Sequence, residues 1–180
     1  MGAGRPSRRA FRLAAVAPFL PALPAAGADR TAVTVERALS CTLDVAEYNA
    51  FAFRVHDEPA ARRALGMTAV RGPNPLLAEY RLARPVAAFG RPTRRVAFTS
   101  SGLLALLEGV DAAALARELD VPAVVDRPEK FLGQGVLVDE PVDLGAPGVE
   151  ARRRITRDVS TVSTHPGVVF AGCGYRIDVE

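Results

Sequence analysis

The sequence predicts an α+β fold: a mainly antiparallel β-sheet of six to eight strands with one or two short helices at one side or end. Three observations predict it. Apolar residues recur at period two through much of the 180-residue chain beyond residue 33, the pattern of half-buried strands. Clusters of Gly and Pro such as RGPNP (71–75), GRPT (90–93), DLGAPG (143–148) and THPGV (164–168) cut that pattern into short runs, as turns between antiparallel neighbours do. Helix signals are confined to two short stretches, one ending at Gly66 and one starting after Asp111.

Taken in order, residues 33–45 place Val33, Val35, Leu39, Cys41, Leu43 and Val45 at odd positions, which predicts a strand with Cys41 pointing inward. Residues 48–55 carry Phe51, Phe53 and Val55 and read as a second strand. In HDEPAARRALG (56–66) the acids precede Pro59 and Gly66 closes the run, so a short helix is expected there. Residues 77–89 read as a strand that Pro85 pushes towards an edge or a break, and residues 95–100 resume the sheet. Residues 103–107 are uniformly apolar, and periodicity alone does not separate a buried strand from a helix start. Asp111 is placed to cap a helix over residues 112–119, whose residues are all helix formers. The remainder is strand: 131–142, interrupted by Gly133 and Gly135, then 149–163 and 168–179, with Pro166 and Gly167 at the centre of a type II turn. In the last strand Val169, Ala171, Cys173, Tyr175, Ile177 and Val179 share one face, so Cys173 points inward. The first and last strands are expected to be neighbours, or at least stapled. No internal repeat is visible.

The first 28 residues carry a different pattern. Arg5, Arg8, Arg9 and Arg12 precede an apolar run from Leu13 to Leu23, and Ala26-Gly27-Ala28 supplies small residues for cleavage; the order is that of a secretory signal peptide. The run is too short, and too rich in Pro18, Pro21 and Pro24, for a membrane-spanning helix. Ser7-Arg8-Arg9-Ala10-Phe11 resembles the core of twin-arginine signals, which implies export in an already folded state; Arg12 departs from that pattern, and general export is the alternative route. Cys41 is separated from the apolar run by Asp29, Arg30 and Glu36, unlike a lipidated cysteine. The expected organisation is therefore a signal peptide over 1–28, a single globular domain over 29–180, no transmembrane segment in the mature chain, and a periplasmic or secreted location.

Cleavage changes the charge. The full chain carries +3, but residues 1–28 hold four of its 23 basic residues and none of its 20 acids, so the mature charge is −1. A nucleic-acid binder carries a basic surplus, and that class is excluded. The two cysteines, Cys41 and Cys173, are expected to form a disulfide in an oxidising compartment. The bridge would close a loop of more than 130 residues, worth about 4–5 kcal/mol on the chain-entropy model. With only His56 and His165 besides the cysteines, a zinc cage has no regular spacing to work from, and no metal or other cofactor is expected.

The candidate chemistry is sparse. Ser100 or Ser101 beside Gly102, His165 as base and an acid such as Asp158 would supply a nucleophilic triad, but the G-x-S-x-G elbow is missing, and a histidine before Pro166 suits an exposed turn. His56 and Glu58 would share a face of a strand, enough for a weak metal contact, although acids before Pro59 also suit a helix start. No phosphate-binding glycine loop occurs. Arginine is the prominent feature: Arg81, Arg84, Arg91, Arg94 and Arg95 fall in fifteen residues without an acid, and Arg152, Arg153, Arg154 and Arg157 form a second group. If the groups met on adjacent strands, Arg94, Arg95, Arg152 and Arg154 would form an anion site through bidentate guanidinium contacts; exposed arginines on strands also protect sheets from edge pairing. The reading is a non-catalytic binding or accessory module of the cell envelope, with an anionic envelope component or a protein as partner, and a small hydrolase using Ser100 or Ser101 with His165 as the alternative.

Overall fold

The computed structural model describes Met1 and residues 33–179; the leader expected over residues 1–28 falls, Met1 apart, outside the described residues. Within them the chain runs α1 (Val35–Leu39), α2 (Val45–Asp57), α3 (Pro59–Ala64), β1 (Met67–Val70), β2 (Ala78–Ala88), β3 (Arg91–Phe98), β4 (Gly102–Glu108), α4 (Ala112–Glu118), β5 (Ala123–Arg127), β6 (Lys130–Pro141), β7 (Ala151–Thr161) and β8 (Val168–Val179). The strands form one antiparallel sheet in the order β1-β2-β3-β4-β8-β7-β6-β5. The α+β class and eight strands are as expected.

That order contains a repeat that the sequence hides. A helix followed by a four-stranded meander occurs twice, as α3 to β4 and as α4 to β8. Within the sheet the two halves pair only where β4 meets β8, centred on Ala105 opposite Ala171. A two-fold axis normal to the sheet at that point exchanges the halves and keeps their helices on one face.

The two strands expected over residues 33–45 and 48–55 are helices instead, which also raises the helix number from the expected one or two to four among the described residues. Capping decides it. The Thr34 hydroxyl accepts a hydrogen bond from the Arg37 amide at 3.2 Å and starts α1. Asp44 and Glu47 form a reciprocal capping box at 2.7 and 2.9 Å and start α2, satisfying amides that a helix start leaves bare. Val45, Tyr48, Phe51 and Val55, spaced three and four apart, are buried, whereas Phe53 is 67% exposed. Period two would have buried Phe53 with Phe51 and Val55; helical spacing turns it outward.

Elsewhere local signals act as expected. Pro59 opens α3, and Asp111 caps α4 by accepting from the Ala114 amide at 2.6 Å. Residues 103–107 become the centre of β4, buried on both faces. Pro85 breaks the β2–β3 ladder: between the pairs Arg81–Arg95 and Val86–Thr93, residues 82–85 stand opposite Arg94 alone. Gly133 and Gly135 do not interrupt β6; Gly133 lets the strand approach Val121 and Pro122. Pro166 and Gly167 turn the chain between β7 and β8, with the Val168 amide bonded to the His165 carbonyl at 3.2 Å and Gly167 at φ +76°.

The helices cover one sheet face. Their core contains Val35, Leu39, Tyr48, Phe51, Val55 and Leu115 against Val96, Phe98, Leu103, Ala171 and Tyr175. Tyr48 stacks on Tyr175 with centroids 4.4 Å apart, and the Tyr175 hydroxyl donates to the Ala38 carbonyl at 2.8 Å. Burial pushes both phenols up, beyond any physiological titration. The Cys41–Cys173 disulfide crosses here, with Cα atoms 5.4 Å apart. Cys173 points inward from β8 as its alternation required. Cys41 is not on a strand; it occupies the α1–α2 turn at φ +60°. Ile177 and Val179, expected inside, are exposed.

Because Cys173 is fully buried and the bridge spans 132 residues, its loss frees a long stretch of unfolded chain. The Cys41→Ser/Cys173→Ser variant is expected to lose about 2–5 kcal/mol, read as a lower urea midpoint with an intact far-ultraviolet spectrum in the absence of denaturant.

Candidate functional site

The second sheet face carries a smaller apolar cluster, Ala97, Leu104, Leu106, Val168 and Phe170, with Leu77 and Val162 packed against it. Two loops, residues 71–77 and 162–167, supply Leu77 and the turn bearing His165. They meet at a buried hydrogen bond. His165 Nε2 lies 2.8 Å from Glu79 Oε1, and the two side chains are each 3% exposed. The other carboxylate oxygen of Glu79 accepts from Arg95 at 3.2 Å, and Arg95 also reaches Glu108 at 3.2 Å. The ring stands edge-on to Phe170 with centroids 5.0 Å apart, and its Nδ1 is 3.0 Å from the Thr164 hydroxyl. With Nε2–H donating to the carboxylate, Nδ1 of a neutral ring accepts from that hydroxyl. Gly72 allows the first loop to close over Glu79: a Cβ there would overlap the carboxylate.

His165 is therefore not the exposed turn residue its sequence context suggested. It is buried because the turn folds over the sheet and the ring finds an acid on β2. The hydrolase reading asked for Ser100 or Ser101 beside it, and the structure does not bring them together. Those serines precede β4 at the end where Gly102 pairs Gly174; His165 belongs to the opposite end, where Glu108 pairs Val168. Over the seven residues of β4 that separation is about 20 Å. Asp158 bonds Gln134 at 2.9 Å and Thr156 at 3.1 Å, away from the imidazole. The hydroxyl that does meet His165 is that of Thr164; beside it the His165 amide bonds the Val162 carbonyl and the Val168 amide bonds the His165 carbonyl. The arrangement pins a loop.

The arginine groups also separate. Arg94 and Arg95 are on β3, Arg152 and Arg154 on β7, and β4 and β8 lie between. Arg152 bonds Asp139 at 2.6 Å, and Arg154 bonds Asp139 at 3.1 Å and Asp178 at 2.9 Å; Arg153 pairs Glu140. The Arg152 hydrogen bond, helped by Arg154, holds the Asp139 carboxyl below its ordinary range. Arg91 pairs Glu118 at 2.6 Å and lowers it likewise. Of the four residues expected to bind an anion, Arg94 alone has no acid partner among the described residues; its guanidinium donates to the Ala83 carbonyl at 2.5 Å.

His56 ends α2 against the rings of Phe98 and Tyr80, at 5.3 and 6.4 Å. Glu58 separates α2 from α3 and makes no side-chain cap bond. Because this segment is helical, the shared strand face proposed for the two does not exist. Among the described residues no group of three His, Cys, Asp or Glu gathers as a metal site, and no helix is long and apolar enough to cross a membrane.

Sequence reasoning missed Glu79, whose only signal is an acid at an odd position of β2 in line with Arg81. It also missed two surface cavities. One, of about 690 Å³, lies between the start of α4, the β5–β6 hairpin and residues 161–169 and carries Asp111, Asp126, Arg127 and Lys130. The other, of about 580 Å³, lies between α1, α3 and the β2 bulge.

Two measurements check this account. His165→Ala leaves Glu79 buried with one partner and is expected to cost about 2–3 kcal/mol, whereas Thr164→Val removes only the hydroxyl that partners Nδ1 and is expected to cost about 1 kcal/mol; urea melts separate them. Burial pushes the Asp158 carboxyl up, against the lowering hydrogen bonds of Gln134 and Thr156. A raised folded value means that the folded state holds the proton more tightly than the unfolded one, so wild-type stability falls as pH rises through the folded pKa. Asp158→Asn keeps the bond from Gln134 at Oδ1, reverses the other so that Nδ2 donates to the Thr156 hydroxyl, and removes that loss. Its stability relative to wild type is therefore expected to grow from pH 4 towards neutrality, measured by thermal melts across that range.

No family model, curated protein or solved structure matches this chain.

Proposed function

We propose that the chain is an exported protein of the cell envelope, periplasmic or secreted, whose mature domain acts without catalysis as a binding or accessory module for an anionic component or a partner protein. The observation that carries this reading is the buried Cys41–Cys173 bridge, because such bonds persist in oxidising compartments. The leader-like residues 1–28 support the same location. Support for a non-catalytic role comes from the one imidazole in a buried polar network: both its nitrogens are engaged, and the carboxylate behind it is shared with an arginine.

Fractionating cells that express the chain and analysing it by intact mass and N-terminal sequencing tests this. The expected species begins at Asp29, has no free thiol, comes from the periplasm or medium, and keeps its mass after exposure to a fluorophosphonate. An intact Met1 on cytosolic protein overturns the location. An adduct on Ser100, Ser101 or Thr164 overturns the non-catalytic role.

A further inference from the structure

The cavity beside the β2 bulge has the composition of a ligand site. Val35, Leu65, Leu82, Pro85 and Val86 make its wall apolar, and Arg63 of α3 and Arg84 of the bulge stand on it, with Glu36 as its one acid. Its volume of about 580 Å³ lies inside the ~300–1,000 Å³ range of small-molecule pockets, which combine apolar walls with a few convergent polar groups.

The cavity also gathers charge. Arg91 and Arg95 of β3 and Arg152, Arg153 and Arg154 of β7 meet carboxylates on neighbouring strands or helices, whereas Arg157 of β7 bonds the Leu119 carbonyl. Arg63, Arg84 and Arg94 have no carboxylate partner among the described residues. Residues 82–85 face Arg94 alone, so Arg84 and Arg94 fall outside the regular cross-strand register. Arg94 is turned onto the Ala83 carbonyl, and Ala83 lines the cavity. The Ala83 amide is tied to the Gly66 carbonyl at 2.8 Å, and Gly66, at φ +66°, sits within 3.1 Å of Ala83 when given a Cβ. The bulge is thus fixed against the end of α3, which sets Arg63 and Arg84 on the same opening.

We propose that this cavity binds an anionic amphiphile, a carboxylate or phosphate headgroup on a short hydrocarbon tail, with Arg63 and Arg84 on the headgroup and the apolar wall around the tail. Guanidinium forks suit both headgroups. An inorganic anion would leave the apolar wall unused, and a neutral lipid would leave the arginines unanswered. The proposal rests on the reading of the chain as a binding module and names its ligand class.

Calorimetric titration of the full chain tests it with four probes: decanoate, decyl phosphate, inorganic phosphate and octyl glucoside. Decanoate and decyl phosphate are expected to bind one to one, at least tenfold tighter than the tailless anion or the neutral tail; the tighter of the two identifies the headgroup. Arg63→Gln/Arg84→Gln is expected to weaken decanoate about tenfold with an unchanged melting temperature, while Arg127→Gln, on β5, has no effect. Ala64→Phe, which fills the opening without touching charge, is expected to weaken both amphiphiles. No saturable heat with either amphiphile, equal affinity for inorganic phosphate, or indifference to the arginine pair overturns the site. Those outcomes leave the processed terminus and unlabelled hydroxyls untouched, so a failed ligand is distinguishable from a failed reading of the chain as an exported, non-catalytic module.

Discussion

The β4–β8 ladder is the constraint from which the rest follows. It is the only seam between the two four-stranded halves of the sheet, and its residues are apolar on both faces: Leu103, Ala105, Leu107, Ala171 and Cys173 towards the helices, Leu104, Leu106, Val168 and Phe170 away from them. Burying a side chain of this kind contributes roughly 1.5–3 kcal/mol, so neither face of the seam can stay wet. The helices cover the first face. The second has no helix, and loops must cover it. Loops bring polar backbone and side chains with them, and these need partners once buried. The Glu79–His165–Arg95 network is the outcome: it fastens the β7–β8 turn to β2 across β3 and β4. It is best understood as what an uncovered seam demands.

The disulfide closes the opposite face by the same logic. α1 has five residues, too few to be stable alone, and β8 holds it through the Tyr175 hydroxyl on Ala38, while the bridge from Cys173 fixes the turn after it and the Tyr175 ring stacks on Tyr48 of α2. β8 has large residues on this face and Gly172 and Gly174 on the other. A Cβ on Gly172 would overlap the backbone of Leu103 and Leu104, so the glycines let β4 approach while their neighbours anchor the helices. One strand therefore carries the seam, the bridge and the aromatic stack.

What the sequence revealed depends on how local the deciding interaction is. Strands β2, β3, β6, β7 and β8, the α4 cap at Asp111 and the turn at Pro166-Gly167 rest on short-range chemistry and were legible; 103–107 stayed open between strand and helix, and the short strands β1 and β5 went unread. Residues 33–55 were misread because Phe51, Phe53 and Val55 satisfy period two while Val45, Tyr48, Phe51 and Val55 satisfy the helical period; the Asp44–Glu47 box, present in the sequence, was the signal that decides between them. The bridge was inferred correctly from one correct alternation, that of Cys173, and one incorrect, that of Cys41. The burial of His165 was out of reach, since its partner lies 86 residues away and only the crossed order of the sheet brings them together.

Arginine placement shows the same division between regular and irregular backbone. On β6 and β7 the register sets Asp139 opposite Arg154 and Glu140 opposite Arg153, and cross-strand neighbours of opposite charge attract. The acids clustered just before that arginine group in the sequence are thus partners across the ladder for Arg152, Arg153 and Arg154, while Arg157 bonds the Leu119 carbonyl. The first group divides. Arg91 pairs Glu118, and Arg95 is shared between Glu79 and Glu108; Arg81, opposite Arg95 in the ladder, and Arg84 and Arg94, beside a four-residue excursion, have no carboxylate partner among the described residues. Bulges interrupt pairing and re-aim side chains, and they concentrate near functional sites for that reason. Arginines left without carboxylates at such an interruption mark where the fold's own electrostatic demands stop, and where recognition of something outside the chain can begin.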